Sequence, residues 1–354
     1  MERGFLSFPP GADGSVDVAV VGCGYWGPNL VRNLVENRTC RRIVCCDTDT
    51  DQLARLSKRY PNLLYTSDFD EILRDSTIDA VMVATPVSTH YDLARRALAC
   101  GKHTFIEKPM TATSEQALKL MDQAAAGRLT LMVGHTFEYS PPVIKIRELI
   151  EANELGTVYY VSSVRVNLGL HQSDISVVWD LAPHDLSMMF YWLKESPSRV
   201  YAMGKAYVQK GIPDVAFISM EFDSGVIAHV QVSWLSPSKL RRTTIVGSGK
   251  MLIYDDTEHS EKVKLFDKGV DFSDPQTFGE FQLSYRSGDI VSPKLPTYEP
   301  LQAEVEHFIH CVISGEKPRS DGLSGLRVVR VLEAVERSMA SGSTVECGMP
   351  ELIG

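Results

Sequence analysis

The run Val16-Asp-Val-Ala-Val-Val-Gly22-Cys-Gly24-Tyr-Trp-Gly27-Pro-Asn decides how this chain is read. A short β-type stretch leads into a GxGxxG turn, and a helical pattern follows. Gly22 permits the tight strand-to-helix turn, Gly24 lets the backbone approach a pyrophosphate, and Gly27 lets the helix pack on the strand. The free N–H groups and the positive dipole end of that helix face the anion. Glycines also mark ordinary turns, so the motif needs a companion. The next apolar run, Arg41-Arg-Ile-Val-Cys-Cys-Asp47, supplies it. It ends on a carboxylate where a Rossmann unit binds the adenosine ribose hydroxyls, and the joint pattern predicts a dinucleotide site. Tyr25, Trp26 and Thr48 are further cofactor-binding candidates in these two segments.

Working outward, strand patterns at 16–21, 42–46, 79–84, 103–106 and 130–133 alternate with helical patterns at 26–37, 50–60, 87–100 and 113–126. Such alternation implies a parallel sheet with helices on both faces. From about residue 136 the grammar changes. A helix is expected from Pro141-Pro142 to 152, a strand at 157–168, and a helix at 181–194. β-type runs at 198–208, 215–222, 226–235, 242–247 and 250–255 follow, separated by turns such as Asp223-Ser-Gly225. Short turns between strands suggest an antiparallel sheet. The Gly-, Pro-, Ser- and Asp-rich stretch 268–298 reads as a long loop, and helices at 299–314 and 322–341 close the chain. The expected fold class is therefore α/β: a doubly wound Rossmann domain over 15–136, then an α+β domain over 137–354 with a large open, mostly antiparallel sheet. Residues 1–14 read as a flexible tail.

With 354 residues, about two domains are expected. The hydrophobic share of 44% and charged share of 23% are those of an ordinary globular protein. A formal net charge of -9 argues against general nucleic-acid affinity, which needs a basic stripe. No apolar stretch is long enough to cross a bilayer, and the first residues lack a signal-peptide core. The seven cysteines are scattered without CxxC spacing, which fits a reducing cytoplasm and argues against structural zinc. His307 and His310 stand at i, i+3 with no further ligand set, so no metal site is expected.

Three further constellations carry chemistry. Ala84-Thr85-Pro86-Val-Ser-Thr89-His90 follows a buried-strand pattern, and ligands of a doubly wound sheet sit beyond the carboxyl ends of strands. Thr85 and Pro86 would border the nicotinamide side, with His90 a further cofactor-binding candidate. The alternative is a plain helix start, with Ser88 as cap and Pro86 stiffening the turn. Glu107-Lys108-Pro109 also ends a strand. A Lys beside a cationic nicotinamide would hold its proton less tightly and could polarise a hydroxyl. The alternative is an ion pair of adjacent charges. In Trp179-Asp180-Leu-Ala-Pro183-His184-Asp185, Pro183 suits a first helical turn, Asp180 an N-cap, and His184 lies four residues on, on the same side. A His suits proton transfer from an alcohol. The alternative is a cap and a structural His. Met188-Met189-Phe190-Tyr191-Trp192 reads as core packing.

Taken in order and at these separations, Gly22-x-Gly24-x-x-Gly27, Glu107-Lys108-Pro109 and Asp180-x-x-x-His184 resemble the Gfo/Idh/MocA family of NAD(P)-dependent sugar and inositol oxidoreductases, over about 15–345. The runs Val178-Trp-Asp-Leu-Ala-Pro-His184 and Val232-Ser-Trp234-Leu-Ser-Pro237-x-Lys239-x-Arg241 look like the UDP-N-acetylglucosamine and UDP-N-acetylglucosaminuronate 3-dehydrogenase branch. The resemblance implies that Lys108 and His184 are the catalytic pair and Asp180 the sugar-contacting acid. It implies cofactor contacts at Glu107 and Lys108, and substrate contacts at His135, Tyr139, Arg165, Asn167, Trp179 and Arg241. His135 stands where relatives often carry Asn, and Glu138 adds an acidic residue nearby, so the exact sugar stays open.

The expected activity is oxidation of a secondary hydroxyl, at carbon 3, of a nucleotide-linked sugar. NAD is expected over NADP, because Asp47 repels a 2′-phosphate and Arg41 and Arg42 precede the strand. Ketosugar reduction, oxidation of a free sugar or inositol, NAD-dependent redox-neutral glycoside hydrolysis and a non-catalytic NAD-binding sensor are the alternatives. The expected partners are a small sugar substrate and copies of the chain itself, as dimer or tetramer through the C-terminal sheet, with neither nucleic acid nor membrane.

Overall fold

The computed structural model describes residues 14–169, 171–172, 175–273 and 282–348. The expected N-terminal tail, apart from Gly14, lies outside the described residues. The chain divides into two compact units, Met1–Tyr139 with Tyr298–Arg330, and Ser140–Thr297 with Val331–Gly354.

The first unit begins with β1 (Val16–Val21), α1 (Gly27–Glu36), β2 (Cys40–Cys46), α2 (Thr50–Arg59), β3 (Leu64–Thr66) and α3 (Phe69–Arg74). It continues with β4 (Ala80–Val83), α4 (Val87–Ala99), β5 (His103–Glu107), α5 (Ser114–Gly127), β6 (Leu131–Gly134) and a 3-10 turn at Thr136–Tyr139. The strand order is β3-β2-β1-β4-β5-β6, all parallel. That is the doubly wound arrangement expected from the alternating pattern, with its switch point between β1 and β4. β1 is buried along its whole length, as a strand covered by helices on both faces must be. Two helix starts are capped by side chains: Asp49 accepts the Asp51 N–H, and Thr113 the Gln116 N–H. β3 and α3 were not expected; three and six residues are too short for a period to register.

The second unit holds α6 (Pro141–Glu151), β7 (Val158–Val166), α7 (Val177–Leu193), β8 (Arg199–Lys205), β9 (Val215–Glu221), β10 (Ile227–Ser233), β11 (Leu240–Gly247) and β12 (Met251–Asp255). After these come β13 (Val263–Ser273) and β14 (Gln282–Val291). Two helices, α8 (Pro300–Ser314) and α9 (Gly322–Ser341), and the short β15 (Val345–Glu346) complete the chain. The nine-stranded sheet runs β14-β13-β12-β11-β7-β10-β9-β8-β15, antiparallel except for the β7–β10 pair. α7 covers one face. The row Val200, Ala202, Ile218, Met220, Ala228 and Val230 is buried, while the alternate row carries Tyr201, Met203, Phe217 and Ile227 outward.

Two expectations need correction here. The stretch 268–298 is not one long loop, because β13 and β14 pair in register from Leu265↔Val291 to Ser273↔Gln282. Its Asp, Gly and Ser residues sit on an exposed edge hairpin, where polar residues are tolerated and mask the apolar alternation. Residues 274–281 of that expected loop lie outside the described residues. The second helix begins at Val177 after Ser176, four residues earlier than expected, so Pro183 is interior and Asp180 is not its cap. Of the Met188–Trp192 run, Met188, Met189, Phe190 and Trp192 are buried, and the Trp192 indole donates to the Val143 carbonyl at 3.0 Å.

α8 belongs with the first unit because it carries Leu301, Val305, Phe308 and Ile309 into the same core as Val18, Val20, Leu30 and Phe105. Each such side chain contributes roughly 1.5–3 kcal/mol on full burial. Among the described residues no helix is long and apolar enough to cross a membrane.

Candidate active site

The glycine turn has the shape its motif requires. Gly22 adopts φ +94°, and a Cβ there would lie 2.6 Å from the Ala84 carbonyl oxygen. A Cβ on Gly27 would collide with the Gly22 carbonyl, so the helix starts as close as the backbone allows. Over Gly24 there is open space, which is where a pyrophosphate needs room. Tyr25 is 89% exposed beside it. Asp47 accepts the Cys23 N–H, tying the end of β2 to the turn, and Thr48 follows it exposed to solvent. Thr85 closes the group from the end of β4, its methyl facing Gly22. Gly22, Asp47 and Thr85 therefore converge at the carboxyl ends of β1, β2 and β4, and this cradle fits a dinucleotide.

Arg41 and Arg42 lie inside β2 rather than before it. Arg41 pairs with Asp17 at 2.9 Å, and Arg42 with Asp17 and Asp75 at 3.2 and 2.9 Å. From Arg42 to Asp47 is five residues of strand, roughly 16 Å, so neither guanidinium faces a 2′-phosphate at the strand's end.

The Glu107-Lys108-Pro109 turn is held on both sides. Glu107 is 8% exposed, and burial pushes its carboxyl up to about 7 against the pull of the Lys108 charge. The Trp26 indole N–H lies against it, outside good hydrogen-bond geometry. His90 is a correction. It is 1% exposed, with Nδ1 2.9 Å from the Pro109 carbonyl and Nε2 2.8 Å from the Thr85 carbonyl. It pins the two loops together and has no surface left for a cofactor. Burial lowers its affinity for a proton. Ser88 does not cap α4, which starts one residue earlier; Thr89 donates to the Pro86 carbonyl instead. Pro86 is exposed at that turn.

In the second unit, Asp180 and His184 lie one turn apart on α7, both half-buried. Asp180 Oδ2 accepts the Trp234 indole N–H at 3.1 Å. Arg165 is a correction. It is 3% exposed, and its Nε donates to Asp185 at 2.6 Å. Burial opposes its charge, but Asp185 outweighs this and holds the guanidinium above its ordinary value. It is therefore an interior ion pair and not a substrate contact. Asn167 lies just past β7, half-buried. Trp179 gives its indole N–H to Glu336 at 2.6 Å, and Arg241 pairs with Asp256 at 3.3 Å, so neither donor is idle.

Tyr139 is also a correction. Its hydroxyl meets Ser320 at 3.3 Å, its ring contacts His307 with centroids 5.5 Å apart, and burial pushes its pKa up. It is a core residue of the first unit. His135 is 1% exposed with both ring nitrogens unpartnered among the described residues, and burial with the Lys108 charge pushes it down to about 3. Lys108 belongs to the first unit, and Asp180 and His184 to the second.

Sequence reasoning passed over Asp185, Glu304, Glu336 and His171. Asp185 follows His184 directly, and a carboxylate in an otherwise apolar helix face was a usable signal. His171 packs against Trp234 with centroids 5.3 Å apart, a contact no local pattern announces. Among the described residues no cluster of three or more His, Cys, Asp or Glu is arranged for a metal.

Comparison with known proteins places the chain. Residues 16–135 match the oxidoreductase family Gfo/Idh/MocA, NAD-binding Rossmann fold, and residues 143–253 match the C-terminal domain of the same family. The chain is 25% identical to scyllo-inositol 2-dehydrogenase (NAD(+)) of Bacillus subtilis, covering 94% of this chain and 96% of the relative. It is 27% identical to UDP-N-acetylglucosamine 3-dehydrogenase of Acidithiobacillus ferrooxidans, over 71% of this chain and 76% of the relative. A solved structure of UDP-N-acetylglucosamine 3-dehydrogenase GnnA from the same organism superposes with a TM-score of 0.77 at 24% identity, covering 92% of this chain and 98% of that one. The chain belongs to the Gfo/Idh/MocA oxidoreductase family, and its first unit is an NAD-binding Rossmann domain.

Proposed function

From membership in that family, we propose that this protein oxidises a secondary hydroxyl, at ring carbon 3, of a nucleotide-linked sugar. The bound NAD supplies the hydride acceptor. His184 takes the hydroxyl proton, Lys108 donates a hydrogen bond to the hydroxyl oxygen, and Asp180 positions the sugar. The products are a ketosugar, NADH and a proton. The observation that carries the reading is the Asp180–Trp234 hydrogen bond. It fixes the acid of the Asp180-x-x-x-His184 motif with a side chain from the second stretch that resembles the nucleotide-sugar branch. Asp47 at the cradle and the engaged Arg41 and Arg42 support NAD.

A second reading, oxidation of an inositol or free sugar, is favoured by the near-complete overlap with the scyllo-inositol dehydrogenase. The test is NADH absorbance on mixing protein and NAD with UDP-sugars, sugar phosphates, free sugars and inositols. Signal with a UDP-sugar supports the proposal, and signal with inositols alone replaces it with the second reading. Release of free sugar without NADH indicates the redox-neutral hydrolase.

We also infer that the protein self-associates through the open face of the nine-stranded sheet. Tyr160, Tyr201, Phe217 and Ile227 share that face, and all but Phe217 line a groove of about 430 Å³. Light scattering checks this: an oligomer is expected, and Ile227→Asp should dissociate it.

A further inference from the structure

Phe105 and Glu107, two apart on β5, project from one face of the sheet. Glu304 and Phe308, four apart on α8, share one face of the helix. The Phe105 and Phe308 rings meet edge to face with centroids 5.7 Å apart, so the faces that carry Glu107 and Glu304 pack together, and the Glu107 charge acts on Glu304. Both carboxyls are buried, Glu304 completely. Glu107 seats over Gly134, its partner on β6, where a Cβ would come within 2.9 Å of Oε2. Thr136 donates to Glu304 Oε2 at 2.6 Å. Glu107 Oε1 and Glu304 Oε1 then have no hydrogen-bond partner among the described residues. Two orphaned carboxyl oxygens in one enclosed place need an explanation.

We propose that Glu304 is a positioning residue that shares one proton with Glu107 and so anchors the turn carrying Lys108. Two facing carboxylates in an apolar enclosure cannot both ionise. The groups around them are the Trp26 indole, the Lys108 ammonium, Thr136 and Glu138. Tyr139 and Arg319 lie behind Glu138. The Lys108 charge favours the anion on Glu107. Burial first, then the Glu107 and Glu138 charges, push Glu304 well above the carboxylate range. The proton therefore stays on Glu304, whose O–H donates to Glu107; it is shared and no other bond changes. No pattern in the linear chain joins residues 107 and 304. The importance of Lys108 rests on the proposed function, whereas the shared proton does not.

Infrared titration of the full chain tests this. A protonated-carboxyl C=O band that shifts in heavy water is expected in the unmodified protein well above pH 7, where burial no longer keeps Glu107 protonated. It should vanish in Glu304→Gln, and in Glu107→Gln it should titrate away at lower pH, because the like charge is gone. Thermal melts give a second readout. Acids raised on folding hold protons that the unfolded chain has shed, so their stability contribution is full below the ordinary value of 4.5 and falls as pH rises above it. Glu304→Gln should flatten that fall, while a purely structural role would lower the melting temperature equally at every pH. A band absent well above pH 7, or surviving Glu304→Gln there, overturns the proposal. If Glu304→Gln does not fold, the Glu107→Gln titration decides. Neither readout uses sugar oxidation, so failure of the proposed function is told apart from failure of this inference.

Discussion

Asp47 Oδ2 accepts the backbone N–H of Cys23 at 2.6 Å, which makes the carboxylate at the end of β2 the latch of the glycine turn. Its other oxygen accepts the Asp49 N–H at 2.9 Å. One side chain thus shapes the glycine turn and places negative charge beside it.

Replacing Asp47 tests both roles. A hydrogen bond to a charged group contributes about 1.5–3 kcal/mol, so Asp47→Ala should weaken NAD binding by about tenfold or more. The preference for NAD over NADP should narrow as well. Calorimetry with each nucleotide checks this, and an unchanged NAD:NADP ratio would remove Asp47 from cofactor selection.

Gly22→Ala should fail for a different reason. The residue stands at φ +94° with the Ala84 carbonyl in the place of its Cβ. Strain of this kind costs on the order of 1–3 kcal/mol, before the collision is counted. A lowered melting temperature and weaker NAD binding are expected together.

The Arg165–Asp185 pair is an interior strut. Asp185→Ala takes the facing carboxylate away from a buried guanidinium and should cost about 3–5 kcal/mol. Arg165→Met combined with Asp185→Leu should cost much less, since both charges leave together. Denaturant unfolding distinguishes the two; equal losses would mean that packing and not charge decides.

Lys108→Met and His184→Asn should each reduce turnover by about a hundredfold or more, the usual contribution of a positioned acid or base. NAD affinity should stay within a few-fold of the unmodified protein. Loss of NAD binding in Lys108→Met would instead assign that side chain to the cofactor.

Acid should destabilise the fold through His135. Its pKa is depressed on folding from 6.5 to about 3, so the unfolded chain binds the proton more readily. The stability contribution is complete above 6.5 and is lost as pH falls toward 3. His103, pushed down to about 4 by burial, adds in the same sense. His135→Asn should make melting temperature less sensitive to acid, and an unchanged slope would mean that the ring is protonated in the folded protein.

The first unit was legible because its signals are local. A glycine turn and a strand ending on Asp47 are short-range constraints, and the alternation of strands and helices implies the parallel sheet, although β3 is too short to register. The β13–β14 hairpin was missed because Asp, Gly and Ser are interleaved with its apolar residues and read as turn signals. The glycine turn of Gly22, Gly24 and Gly27 follows β1, and Asp47 at the end of β2 bonds to it. Arg165, Tyr139 and His90 turned inward, because burial depends on what packs from elsewhere in the chain.

The amino-acid sequence by itself determined the Rossmann unit and its cofactor class, since backbone conformation and motif spacing are written in neighbouring residues. Only the tertiary structure decided which polar side chains are partnered inside the protein. Asp185 claims Arg165 across 20 residues, Ser320 claims Tyr139 across 181, and Trp234 finds Asp180 across 54. A hydrogen bond is set by distance in space, and no local pattern encodes that distance until the chain has folded.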